Sequence, residues 1–231
     1  MEQKLIRNPI ILALDVDSRE EADRYSSQVG DLVGAIKLGP RLIYRYGSQF
    51  IQECAKIAPV FVDNKYFDIP STMVAAVRSS FEAGATLVTV HALAGSEALT
   101  QLALLEKELN KIRPFKILAV TILTSWSEKS FPPSFKDLSV ADHVSGLAQS
   151  VKDSGLAGLV CSAYELSLIK QHNFFTVTPG IRLDSSVRDD QKRVMTPEQA
   201  LQAGASALVI GRPVLQAQDP RSFIKEILKS I

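Results

Sequence analysis

Asp63, Lys65 and Asp68 lie close together in the stretch Asp63-Asn64-Lys65-Tyr66-Phe67-Asp68-Ile69-Pro70-Ser71-Thr72, directly after the apolar run Pro59-Val60-Phe61-Val62. The run reads as a buried strand, on which residues two apart share a face, so Asp63 and Lys65 project together. An unpaired charge at the end of an apolar strand is costly. A carboxylate, an ammonium and a second carboxylate gathered there point to chemistry more than to stability. Asp68 follows one turn later, and Pro70 suits the first turn of a helix.

Asp15 and Lys37 interrupt apolar sequence in the same way, in Ala13-Leu14-Asp15 and Ala35-Ile36-Lys37-Leu38. With Asp63 and Lys65 they can form a chain of alternating charge from three neighbouring strands. The alternative is a buried ion-pair network that only specifies the fold, a weak stabiliser because desolvation offsets the attraction. A second cluster lies near the carboxyl terminus, in Thr178-Pro179-Gly180-Ile181-Arg182 and Ile210-Gly211-Arg212-Pro213. Gly180 and Gly211 allow close backbone approach, while Arg182 and Arg212 supply guanidinium forks suited to phosphate. The polar segment 183–196, with Gln191 in it, is long enough to close over a ligand. His91 reads as a structural histidine more readily than a catalytic one. Trp126, Phe131 and Tyr66 read as packing or lid residues.

The elements that must carry these groups alternate from end to end. Val- and Ile-rich runs recur at 10–16, 35–39, 60–65, 87–92, 117–123, 158–163, 175–181 and 207–212. Helical periodicity occupies 21–29, 42–57, 72–83, 97–112, 140–153, 165–172, 197–203 and 222–228. Eight strand–helix units predict an α/β chain folded as one (β/α)₈ TIM barrel over residues 1–231. A doubly wound open sheet fits less well, because Asp15-Val16-Asp17-Ser18 stands where such a sheet carries a glycine-rich nucleotide turn. In a barrel the active site lies at the carboxyl ends of the strands, and phosphate commonly binds after strands seven and eight. Asp15, Lys37, Asp63, Lys65, His91, Thr124 with Ser125, Arg182 and Arg212 all fall at such ends.

Composition narrows the partners. Lys plus Arg total 26 against 25 Asp plus Glu, so no general attraction to nucleic acid or a membrane surface is expected. No apolar run is long enough to span a bilayer, and the first residues lack the apolar region of a signal peptide. The two cysteines, Cys54 and Cys161, have no metal-type spacing and read as buried filler in a cytoplasmic protein.

Over its whole length the chain resembles the orotidine 5′-phosphate decarboxylases. The resemblance rests on Leu14-Asp15, Lys37-Leu38-Gly39, Asp63-x-Lys65-x-x-Asp68-Ile69-Pro70-x-Thr72, Val90-His91-Ala92, residues 121–125, Pro179-Gly180-Ile181-Arg182, Gln191 and Gly211-Arg212-Pro213. D-x-K-x-x-D alone is shared with metal-dependent sugar-phosphate decarboxylases and aldolase-like relatives; the Ile-Pro-x-Thr continuation separates this chain from them. The resemblance implies conversion of orotidine 5′-monophosphate to UMP and CO₂, the last step of pyrimidine nucleotide synthesis, without cofactor or metal. It implies that Lys65 protonates C6 of the ring, with Asp63 and Asp68 holding it charged and oriented. Asp15 and Lys37 would bind ribose, Thr124 and Ser125 the pyrimidine, Gln191 the base or phosphate, and Arg182 with Gly211 and Arg212 the phosphate. It also implies a homodimer in which Asp68, Ile69 and Thr72 reach into the partner's site.

Overall fold

In the computed structural model of the protein, residues 4–126, 131–135, 138–182 and 195–231 are described. The apolar runs fold as eight parallel strands: β1 (Ile10–Ala13), β2 (Ala35–Leu38), β3 (Val60–Tyr66), β4 (Ala85–His91), β5 (Lys116–Val120), β6 (Gly158–Val160), β7 (Phe175–Thr178) and β8 (Ala207–Ile210). Each pairs with its sequence neighbour, and β8 returns to β1 through Ile10↔Leu208, Ile11↔Val209 and Leu12↔Ile210, closing the barrel. This is the (β/α)₈ architecture expected from the sequence. The strands stop short of the expected carboxyl-terminal bounds: β1 ends at Ala13, β6 at Val160 and β8 at Ile210. The residues beyond form the barrel mouth, so Asp15, Arg182 and Arg212 stand just past the ladder.

The strands are nearly continuous hydrophobic runs because both faces are covered. One face packs outward on the helices, in a core that includes Ile10, Leu12, Ile36, Val60, Val62 and Val88. The other fills the barrel with Ile11, Ala35, Phe61, Leu87, Leu118, Val177 and Ala207, against which Leu5 and Ile6 pack. The inward parity of β3 therefore runs Phe61, Asp63, Lys65, carrying the strand from core to mouth.

The helices are α1 (Arg19–Val29), α2 (Pro40–Ala55), α3 (Pro70–Glu82), α4 (Ser96–Leu109), α5 (Val140–Ser154), α6 (Leu166–Ile169), α7 (Pro197–Gln202), α8 (Arg212–Leu215) and α9 (Pro220–Ser230). Local chemistry starts them. Ser18 accepts from the Glu21 N–H at 3.2 Å to cap α1, and Pro70 opens α3 at its first position. Ser139 and Asp142 form a reciprocal box at the start of α5. Gly47, at φ +66°, breaks α2 internally. The helix expected at 165–172 is one α-turn flanked by 3₁₀ turns, and the short α8 after Gly211 was not expected.

Candidate active site

Strand alternation and strand endings together bring the charges into one place. A cavity of about 620 Å³ opens at the carboxyl ends of the strands, and Asp15, Lys37, Asp63, Lys65 and Thr124 line it. Arg182, Gly211 and Arg212 line it too, from the ends of β7 and β8. The alternating charge chain is present. Lys37 Nζ lies 3.2 Å from Asp15 Oδ1 and 3.3 Å from Asp63 Oδ2, and Lys65 Nζ lies 2.9 Å from Asp63 Oδ1.

The centre of that chain is withdrawn from water, with the Lys37 and Asp63 side chains only 10% and 13% exposed. Burial by itself pushes the Asp63 carboxyl up, but Lys37 and Lys65 outweigh it and hold it below the usual carboxylate range. Burial pushes the Lys37 ammonium down, and Asp63 with Asp15 outweighs that, leaving it above the ordinary lysine value. Both groups are therefore ionised at neutral pH, each as the other's counter-charge.

Lys65 is held by its backbone as well as by its side chain. Val62 pairs with Val88 and Tyr66 with Val90, so β3 bulges against β4 between Val62 and Tyr66. Within the bulge Lys65 adopts φ +48°, in the left-handed region that side chains other than glycine seldom enter. Its N–H donates to Thr89 Oγ1 at 2.9 Å, and the Thr89 hydroxyl donates to Asp63 Oδ1, also at 2.9 Å.

Within the single protomer Asp68 is not brought into the charge chain. It lies on the exposed turn into α3, and its carboxylate accepts from its neighbour's backbone, the Ile69 N–H, at 2.6 Å. Among the described residues no ion pair joins Asp68 to Lys65. Phe67, Asp68 and Ile69 are all exposed on the turn that follows Tyr66. Ile69, 64% exposed, and Thr72 share this rim outside the cavity wall. Ser125 is exposed and outside the cavity lining, whereas Thr124 is part of it. Gln191 lies outside the described residues.

Arg182 is buried; its backbone N–H donates to Met195 O at 3.1 Å and its guanidinium to Ile181 O at 3.0 Å. Gly180 sits at φ +81° in the turn that delivers Arg182. Gly211 packs so closely on β1 that a Cβ there would lie 3.2 Å from Ala13 Cβ. His91 Nδ1 accepts from the Leu93 N–H at 3.3 Å and its ring lies 5.6 Å from Phe67. Burial, then Lys65, pushes it below the ordinary histidine value, which leaves it neutral at pH 7. Trp126 packs edge-on against Phe131 and Phe135, 5.9 and 5.8 Å away, and the Tyr66 hydroxyl lies 3.0 Å from Ser80 Oγ.

Three residues at the site escaped the sequence reading. Arg41, at the start of α2, lines the cavity mouth while paired with Asp17 at 3.0 Å; a cation in the first turn of a helix that follows a barrel strand was its signal. Thr89 lies inward on β4, two residues before His91. Cys54 and Cys161 are both buried and outside any disulfide, as expected, but Cys161 also lines the cavity at the end of β6. Among the described residues, Lys37, Arg41, Lys65, Arg182 and Arg212 face only Asp15 and Asp63 in the lining. That excess of positive charge favours an anionic ligand.

A family model described as "Orotidine 5'-phosphate decarboxylase / HUMPS family" matches residues 8–227. A Legionella pneumophila (strain Paris) protein named orotidine 5′-phosphate decarboxylase is 38% identical over 226 residues, covering 96% of this chain and 98% of the relative. A protein of the same name from Vibrio campbellii is also 38% identical, over 98% of this chain and 99% of its own. Among solved structures, the orotidine 5′-phosphate decarboxylase from Lactobacillus acidophilus superposes with a TM-score of 0.84 at 33% identity, covering 96% of this chain and 98% of that one.

Proposed function

This chain belongs to the orotidine 5′-phosphate decarboxylase / HUMPS family, and from that membership we propose that it is a carboxy-lyase converting orotidine 5′-monophosphate to UMP and CO₂. The observation that carries the proposal is the unbroken series Asp15–Lys37–Asp63–Lys65, with contacts of 3.2, 3.3 and 2.9 Å, in a cavity whose lining also contains Arg182 and Arg212. It supplies a cation poised for proton donation and a phosphate grip in one enclosure.

Loss of CO₂ breaks the bond between C6 and the carboxylate carbon, and the electron pair stays on C6 in the ring plane. The Lys65 ammonium stabilises that pair by its charge, then forms the new C6–H bond with one of its protons. Such fixed electrostatics gain strength where water is scarce. Asp63, 2.9 Å from its Nζ, aims Lys65. Lys37 and Asp15 bind the ribose hydroxyls, and Thr124 with Ser125 reads the pyrimidine edge. Arg182, Gly211 and Arg212 hold the phosphate, with Gln191 contacting base or phosphate. Phosphate contacts remote from C6 contribute by organising the reacting end.

Asp68, Ile69 and Thr72 serve the site of a second copy in a homodimer. Their position on an exposed rim, with Phe67 62% and Ile69 64% exposed, supports this division.

The test is direct. Metal-stripped protein mixed with orotidine 5′-monophosphate should shift the ultraviolet absorbance to that of UMP, with no change on adding EDTA. Absence of turnover, or activity that requires magnesium, overturns the proposal.

A further inference from the structure

The peptide that carries Lys65 lies in one of the two register shifts of the β3–β4 ladder. Between Val62 and Tyr66 the ladder to β4 is interrupted, and Lys65 itself is at φ +48°. A lysine costs free energy in that conformation, and a bulge leaves an N–H without its strand partner. Something must compensate, and the compensating group is the Thr89 hydroxyl. Thr89 is buried on the inward face of β4, where an apolar side chain would otherwise fill the barrel. Its oxygen accepts the orphaned Lys65 N–H at 2.9 Å and its proton goes to Asp63 Oδ1 at 2.9 Å. Asp63 Oδ1 in turn accepts from Lys65 Nζ at 2.9 Å. The result is a closed ring that ties both ends of Lys65, backbone and ammonium, to a single hydroxyl and a single carboxylate oxygen.

We infer that Thr89 is a positioning residue for the reaction, acting through its hydroxyl to hold Lys65 in its left-handed bulge and so to fix the ammonium on the C6 side of the cavity. This rests on Lys65 being the proton donor proposed above. Thr89 does not belong to the cavity lining, so its effect must reach the substrate through Lys65 and Asp63. The inference therefore separates kcat from binding. Ribose and phosphate contacts come from Asp15, Lys37, Arg182 and Arg212, none of which bonds to Thr89.

Two variants and two readouts test this. Thr89→Val keeps the branched shape and suits a strand, but it removes both the acceptor and the donor. Its kcat should fall roughly 10- to 100-fold, the scale of a misplaced catalytic group, while the Kd for UMP stays within about threefold. Thr89→Ser restores the hydroxyl and should recover kcat to within about threefold of the parent. In protein labelled with ¹⁵N-lysine, the Lys65 amide should exchange with solvent faster in Thr89→Val than in the parent, and slowly again in Thr89→Ser. Parental kcat in Thr89→Val overturns the inference, as does a Thr89→Ser protein as impaired as the valine variant, which would assign the effect to packing. If the parent protein fails to decarboxylate the nucleotide at all, the proposed function fails. The amide measurement still tests the Thr89–Lys65 tether, and unchanged exchange in Thr89→Val would overturn it.

Discussion

Lys65 joins two properties that rarely coincide, a contact to a buried carboxylate and a side chain still 39% open to the cavity. Lys65→Ala should therefore leave fold and ligand binding in place and remove turnover. Proton donation alone contributes roughly 10²–10⁴-fold and electrostatic stabilisation adds to it, so kcat should fall at least about 10³-fold. Stopped-assay kcat with UMP binding measured alongside checks this; near-parental kcat would exclude Lys65 as the donor. Asp63 makes a separate prediction through pH. Its folded-state value is held below the free carboxylate value of about 3.9, so its ionised form stabilises the fold above that pH. That contribution is lost as pH falls through the depressed value. Asp63→Asn lacks the titration, so the stability of the parent minus that of the variant should shrink with acidification below about pH 4. Urea melts of both proteins across that range read it directly, and a pH-independent difference would remove Asp63 from the linkage. Lys37 has the opposite sign: raised above the ordinary lysine value, it loses its contribution only as pH rises through that raised value. At this scale the sequence was legible wherever parity decided the outcome. Asp63 and Lys65 share the inner face because they are two apart. Sequence spacing alone did not say which chain's site Asp68 serves, because it carries no information about the exposed turn that follows Tyr66. Thr89 was missed because a threonine in an apolar strand looks like packing until its neighbour bulges toward it.

The elements explain why the proposed phosphate grip sits where it does. β7 and β8 end at Thr178 and Ile210, and each is followed within four residues by a glycine and an arginine. Gly211 must lie against Ala13, which brings the first residue of α8, Arg212, to the cavity wall. Arg212→Ala should consequently weaken use of the nucleotide and barely affect the phosphate-free nucleoside. Loss of one charge-assisted contact predicts a kcat/KM for the nucleotide lower by about 10- to 100-fold. Equal proportional losses for both substrates would place Arg212 away from the phosphate. Strand and helix identities were readable because Val- and Ile-rich runs alternate with amphipathic segments. Their carboxyl ends were not, because polar mouth residues such as Asp15 and Arg182 are flanked by apolar ones that continue the strand pattern after the ladder has stopped. Arg41 was hidden for a related reason, since a cation on a helix ordinarily faces solvent and only the barrel geometry turns the first turn of α2 toward the cavity.

For the molecule as a whole, the closed barrel supplies every group of the charge chain from one protomer, yet it leaves Phe67, Asp68 and Ile69 on an exposed rim. A carboxylate flanked by exposed apolar side chains gains little where it stands, and a second copy covering that rim would both bury the apolar surface and deliver Asp68 to a facing site. Two-fold symmetry makes such an exchange reciprocal. Each active site would then combine Lys65 of one chain with Asp68 of the other. Lys65→Ala and Asp68→Ala proteins, each inactive alone, should regain activity when mixed under conditions that let subunits exchange. In a mixed dimer one site lacks both residues and the other has both. Random reassortment makes about half the dimers mixed, so roughly a quarter of all sites should recover parental turnover. Subunit exchange is verified independently by native mass spectrometry of isotopically distinguished chains. Proven exchange without recovered activity would mean that Asp68 acts within its own chain, and the turn into α3 would then have to close on Lys65 when the nucleotide binds.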